Sequence, residues 1–416
     1  MINSSQQKNR AFLFLFFLIW PFGAFLYSLY NYDKKYLHVF LILFTGIYGY
    51  GMIATNQELD LYRYLQSASE YARIPTTGFF KMLTGGYVTN SLGQTGGTDF
   101  YRDIVTFIIS RFSNAGSVLM MTFGLVYGYL YVKCINYFLA INERKCIYSI
   151  VILLCFSTAI GLSTFAGVRY ATAAMYFFFV SCFALRRKSI LAWVLVCCSI
   201  LIHFSFIPAV LLLFITKIFE KREKQLLILF LLSFLSADVL LPILQELGAV
   251  LGGNLQEKII FYTGEGYVEL VNQSISQSSW HIKLSSFLAK TYILFCIIYF
   301  FAKKNRLNYT LATIWKYDLL LLFATFTNLI IDIPSFGSRY LKILILYFTY
   351  FMYDLYFNNM NNHTVKVLVI LMIPFFILFV AFDFRYILGY TNLLLYIGSI
   401  PFILFVDYNI PVWSLY

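Results

Sequence analysis

Apolar runs of about 17 to 22 residues recur along the whole chain, and within them polar and apolar positions do not alternate. At 1.5 Å rise per residue a run of that length matches the ~30 Å hydrocarbon core of a bilayer. Backbone groups in lipid must bond within the protein, which leaves helices or closed barrels, and the absence of alternation selects helices. Charged residues are only 12% of the chain, against ~25% in soluble domains. The expected fold is all-α: a polytopic integral membrane helical bundle of about 11–13 transmembrane helices, forming one transmembrane domain over residues 1–416.

The net charge of +12 does not point to nucleic acid, because Lys and Arg sit in short clusters between apolar runs, as the positive-inside rule describes. Seven Cys lie scattered with no paired spacing, so neither a disulfide framework nor a zinc site is expected. No phosphate-binding loop, His-Glu-x-x-His or Gly-x-Ser-x-Gly occurs. Lys8 and Arg10 precede an apolar run resembling a signal sequence, but it is long and lacks a small-residue cleavage site, so a retained helix is expected.

Candidate spans are 11–30, 36–54, 117–139, 147–163, 168–185, 190–202, 205–218, 225–244, 285–302, 316–333, 340–357, 365–384 and 390–406. Asp33-Lys34-Lys35, Glu143-Arg144-Lys145, Arg186-Arg187-Lys188, Lys217 to Lys224, Lys303 to Arg306 and Lys366 all fall on odd-numbered connections. Those connections are therefore expected in the cytoplasm, with the chain starting outside, although Lys8 and Arg10 run against this. Residues 190–218 as one helix would measure ~43 Å, too long for the core, so a break at His203-Phe-Ser205 is expected. Two outer connections are long, 55–116 and 245–284. The first includes a Gly/Thr-rich patch and ends in a stretch (99–112) that places Phe100, Ile104, Phe107, Ile108 and Phe112 on one face of an interfacial amphipathic helix.

Candidate chemistry gathers on the outer side. Arg169 and Arg339 each stand two residues after a glycine, before a tyrosine, at the start of an apolar run. A guanidinium beside a helix N-terminus is suited to bind phosphate, though an arginine snorkelling to the interface is the structural alternative. His203 interrupts an apolar run and suits a general base, a phosphate contact or a satisfied core position. Glu58 and Asp60, in an extended turn, could converge on a hydroxyl or cation, or be simply solvated. Asp332 is either a partner for Arg339 or a catalytic carboxylate. Arg63 adds charge next to Asp60, and the rings of Tyr62, Tyr64, Tyr170, Tyr262, Tyr267 and Trp280 stand where they could stack on sugars.

The order Asp60-Leu-Tyr62-Arg63-Tyr64, then Arg169, then Arg186-Arg187-Lys188, then His203-Phe-Ser205 resembles the EpsG group of bacterial exopolysaccharide polymerases, akin to Wzy-type O-antigen and capsule polymerases. The likeness is strongest over residues 36–218. It implies a metal-independent glycosyltransferase of the inner (plasma) membrane, without cofactor, whose active site faces the periplasm or cell exterior. A growing glycan would move from undecaprenyl pyrophosphate to the non-reducing end of the next lipid-linked unit. By position, Arg169, Arg339 and Arg63 would hold the pyrophosphate, and His203, Asp60 or Asp332 would activate the acceptor. Tyr62, Tyr64, Tyr170 and Trp280 would contact sugar. A flippase and a chain-length regulator are the protein partners implied. Other lipid-phosphate-sugar glycosyltransferases and O-antigen ligases share this chemistry, and a lipid-linked oligosaccharide flippase is the non-enzymatic alternative.

Overall fold

The computed structural model describes residues 4–54, 60–83, 100–187, 189–219, 222–234, 246, 280–331, 333, 336–406 and 411–412. The first half contains α1 (Ser4–Ile19), α2 (Pro21–Tyr30), α3 (His38–Tyr50), α4 (Asp60–Ala72), α5 (Thr76–Leu83), α6 (Phe100–Ser110), α7 (Gly116–Leu139), α8 (Ile147–Ala159) and α9 (Val168–Arg187). After them come α10 (Ile190–Ile202), α11 (Ile207–Ile218), α12 (Glu223–Leu232), α13 (Trp280–Lys303), α14 (Leu311–Ile330), α15 (Phe336–Asn358), α16 (His363–Gly389), α17 (Leu394–Ile397) and α18 (Ile400–Phe405). Among the described residues β pairing is limited to two isolated bridges, Met52 with Thr391 and Asn392 with Pro411. The fold is all-α, and among the described residues five stretches are long and apolar enough to cross a membrane: 116–139, 147–166, 168–185, 283–306 and 363–389.

The expected break in 190–218 is present. α10 ends at His203, whose backbone is extended, Phe204–Phe206 form a 3-10 turn, and Pro208 stands in the first turn of α11. Elsewhere the structure departs from the sequence reading. The 11–30 run is split at Trp20 because Pro21 removes a backbone donor and starts a new helix. The 390–406 run, interrupted by Gly398 and Pro401, gives only α17 and α18 instead of a span. The 55–116 connection holds three helices, so Asp60 opens α4 instead of lying in an extended turn; Glu58 lies outside the described residues, as do the Gly/Thr patch and most of 245–284.

A helix forms here as α6, Phe100–Ser110, which leaves Phe112 beyond its end, and Phe107 packs against Phe79 at 3.9 Å. Its polar side does not face water: Asp103, Thr106 and Ser110 are buried, while Ile104 and Ile108 are exposed. The polar stripe packs toward protein, and Ile104 and Ile108 are on the surface.

The chain divides into two compact units. The first comprises Met1–Glu143, Leu162–Phe204 and Asp383–Tyr416, and the second Arg144–Gly161 and Ser205–Phe382. In the first, α3 and α7 run antiparallel and nearly touch through glycines: a Cβ at Gly124 would stand 2.2 Å from Thr45 O, and one at Gly49 2.3 Å from Met120 O. Small residues that let backbones meet are how helices pack in lipid, where no hydrophobic drive brings them together. The last stretch closes this unit. Ile53 N–H donates to Tyr390 O (2.8 Å), Asn392 N–H to Gly51 O (3.0 Å), Trp20 Nε1–H to Tyr396 O (2.7 Å) and the Tyr50 hydroxyl to Leu404 O (3.0 Å).

In the second unit α14 packs along α15, and a buried ion pair joins Lys316 to Asp354 at 2.8 Å. The Thr313 hydroxyl donates to the other Asp354 oxygen at 2.6 Å and the Tyr350 ring lies 4.3 Å from the Lys316 ammonium, so both buried charges are compensated. The Tyr340 hydroxyl accepts from Ala209 N–H (3.1 Å) and donates to Ser205 O (2.8 Å), tying the start of α11 to α15.

Connections of like parity meet inside each unit. Lys35 pairs with Glu143 at 3.0 Å in the first. In the second, Lys304 pairs with Glu223, and Asn359 binds both backbone groups of Asn308.

Candidate active site

At the other end of the first unit, Asp60 and Arg63 share the opening turn of α4, and Tyr64 stands one residue on. Spacings of three to four place Asp60, Arg63 and Tyr64 on neighbouring positions of the helix surface. Arg169 is the second residue of α9, where backbone N–H groups and the helix dipole favour anions. Its Nε donates to the Tyr64 hydroxyl at 2.9 Å, and the guanidinium carbon lies 5.9 Å from the Tyr64 ring centroid. Asp60 is held more loosely, 3.7 Å from Arg169 and 3.8 Å from Arg63. These distances exceed a hydrogen bond, so an incoming phosphate could replace them with contacts of ~2.8 Å.

Two turns further along α4, Tyr71 donates to Asp103 Oδ1 at 2.9 Å. Arg102 donates to the same oxygen through Nε (2.8 Å) and Nη2 (2.6 Å). Asp103 is 1% exposed. Burial opposes the charge on Arg102, but the Asp103 carboxylate together with Tyr71 and Tyr64 outweighs it, and the guanidinium pKa is raised. Arg102 also lies within electrostatic reach of Arg169 and Tyr64, so a second guanidinium belongs to this cluster. Tyr64 and Tyr71 both have raised pKa values because they are buried, which keeps both phenols protonated.

His203 is buried, edge-on to the Tyr170 ring at 6.4 Å and to Phe204 at 5.2 Å. Also in this unit, the Ser163 hydroxyl donates to Asp383, 220 positions away in sequence.

The structure thus brings together Asp60, Arg63, Tyr64 and Arg169, with Tyr170 and His203 in the same unit. Tyr64 is 2% exposed and its hydroxyl is engaged, so it holds Arg169 and offers no open face to a sugar. Tyr62 is half-buried, its hydroxyl accepting from Gln66 at 2.6 Å. Arg339 and Trp280 belong to the second unit. Arg339 is the fourth residue of α15, half-buried, and Trp280 opens α13 fully exposed. Asp332, Tyr262 and Tyr267 lie outside the described residues. The sequence reading passed over Arg102 and Asp103. The signal for them was the polar series Asp103, Thr106, Ser110, spaced as one helix stripe. No group of three or more metal-ligating side chains occurs among the described residues.

Comparison with family models, curated proteins and solved structures gives no match to this chain.

Proposed function

We propose that the chain is a polymerase of lipid-linked oligosaccharide repeat units. It would transfer a growing glycan from undecaprenyl pyrophosphate to the next lipid-linked unit on the extracytoplasmic side of a bacterial inner membrane. The observation that carries this reading is Arg169, held by Tyr64 at the N-terminus of an apolar helix, with Asp60 3.7 Å away. Such a group holds a diphosphate and opposes the charge that grows on it as a leaving group. Arg63 adds a second positive charge at the rim, while Arg102 is neutralised by Asp103 and braces the cluster. The lipid tails stay in the bilayer beside the apolar helices while the diphosphate sits at the helix end.

On this reading the chain crosses the membrane about 11–13 times, with the odd connections in the cytoplasm. The like-parity contacts Lys35–Glu143 and Lys304–Glu223 support that arrangement. The test is reconstitution of purified protein into vesicles with undecaprenyl-diphosphate-linked repeat units. A ladder of lengthening glycans is expected, together with single outward-facing units accumulating in a deletion strain. Units trapped on the inner leaflet of that strain would instead identify a flippase.

A further inference from the structure

The last turns of α16 stand partly clear of the protein. Asp383 and Ile387, four apart, form the buried stripe, whereas Phe384, Arg385 and Tyr386 between them are exposed. Tyr386 is 46% exposed, and Tyr390, just past the helix end, is half-buried. Their rings are parallel to within 7°, with centroids 6.5 Å apart. The backbone then leaves helical form. Tyr390 O accepts from Ile53 N–H at 2.8 Å, Thr391 bridges to Met52, and Asn392 N–H donates to Gly51 O at 3.0 Å. Irregular backbone is excluded from contact with lipid tails, so the rings mark the end of the span and not its lipid-facing length. The stretch they are fastened to, 51–53, precedes α4, the helix that carries Asp60, Arg63 and Tyr64.

A tyrosine ring offers a flat apolar face with a hydroxyl at its rim, and orders few rotatable bonds when it binds. A pyranose presents the complement: C–H groups on its faces and hydroxyls around its edge. Two parallel rings at this separation suit neighbouring sugars of one chain, whereas an acyl tail makes no use of the hydroxyls. We propose that Tyr386 and Tyr390 form a glycan-binding ledge on the first unit, which takes neighbouring sugars of the acceptor oligosaccharide; the choice of occupant rests on the polymerase reading above. The ledge holds sugar away from the bond being made. Contacts of that kind are the same before and during reaction, so their loss raises KM and leaves kcat nearly unchanged.

The experiment compares full-length wild type, Tyr386→Trp, Tyr390→Trp and the double variant Tyr386→Ala/Tyr390→Ala in vesicles. The binding probe is the repeat-unit oligosaccharide freed from its lipid by mild acid, and the membrane probe is brominated phosphatidylcholine. In each tryptophan variant the oligosaccharide is expected to shift the added emission, taken as the difference from wild type, and brominated lipid to quench it little. No shift overturns the ledge, and strong quenching then identifies the pair as part of an interfacial aromatic belt. The double alanine variant should raise KM for the acceptor unit roughly 10-fold, with kcat kept within about two-fold. Its thermal midpoint should hold, because the bonds to 51–53 come from backbone and not from the rings. An unchanged KM also overturns the ledge. A wild type that makes no polymer while the tryptophans still answer to the oligosaccharide sinks the polymerase reading and leaves the ledge standing. If the double variant does not accumulate, the two tryptophan variants decide.

Discussion

Arg169 donates to a phenol, and that contact bears on what its substitutions should do. Tyr64 orients the guanidinium through a neutral hydroxyl. Arg169→Lys keeps the charge but loses the fork, so glycan ladders from vesicles should shorten sharply with protein abundance unchanged. Tyr64→Phe should raise KM for the lipid-diphosphate donor, with ~1 kcal/mol lost in stability. Arg102 and Asp103 behave otherwise, because both are largely enclosed and each compensates the other. Asp103→Asn leaves the guanidinium without its counter-charge and is expected to destabilise the first unit by roughly 3–5 kcal/mol, read as a fall in the thermal midpoint in detergent. Arg169, Tyr64, Asp60 and His203 could be picked from sequence because each breaks an apolar or motif-like context. Arg102 and Asp103 could not, since a polar stripe in a short amphipathic helix ordinarily faces water.

At the scale of helices, length and proline content carried most of the legible information. The break at His203 followed from a segment too long for the membrane, and α7, α9 and α10 begin and end within two residues of the apolar runs. The paired Gly-x-Arg-Tyr motifs looked alike in sequence, but their glycines do different things. A Cβ at Gly337 would stand 2.4 Å from Ile331 O and 2.7 Å from Ile330 O, backbone atoms that cannot step aside. At Gly167 the nearest atom would be Thr164 O at 3.5 Å, an ordinary contact. Gly337→Ala should therefore destabilise the protein by about 1–3 kcal/mol, while Gly167→Ala should stay within ~0.5 kcal/mol of wild type; comparing thermal midpoints of the pair checks both. No sequence pattern separates these two cases, because the difference lies in how closely the chain passes its own α14 end.

For the molecule as a whole, orientation can be read from one thiol. Cys146 follows Glu143-Arg144-Lys145, in a connection that the proposed orientation puts in the cytoplasm. Burial works to raise its pKa, but hydrogen bonds at Ser149 and Tyr356 outweigh this and bring it below the usual thiol range. A lower pKa means more thiolate at neutral pH, so this cysteine should react faster than an unperturbed one. In a variant keeping Cys146 as its single cysteine, a membrane-impermeant maleimide should label permeabilised cells and spare intact ones; labelling of intact cells would invert the topology. The stitching of the first unit from three separate stretches has a consequence for how the chain is made. Its cluster of arginines and tyrosines is synthesised early, yet the segment that bonds back to Gly51, Ile53 and Trp20 follows only after the whole second unit. A nascent chain therefore carries an unfinished first unit until the second has been made, and a stop codon after Phe382 is expected to unsettle that unit while leaving Arg63, Arg102 and Arg169 in place.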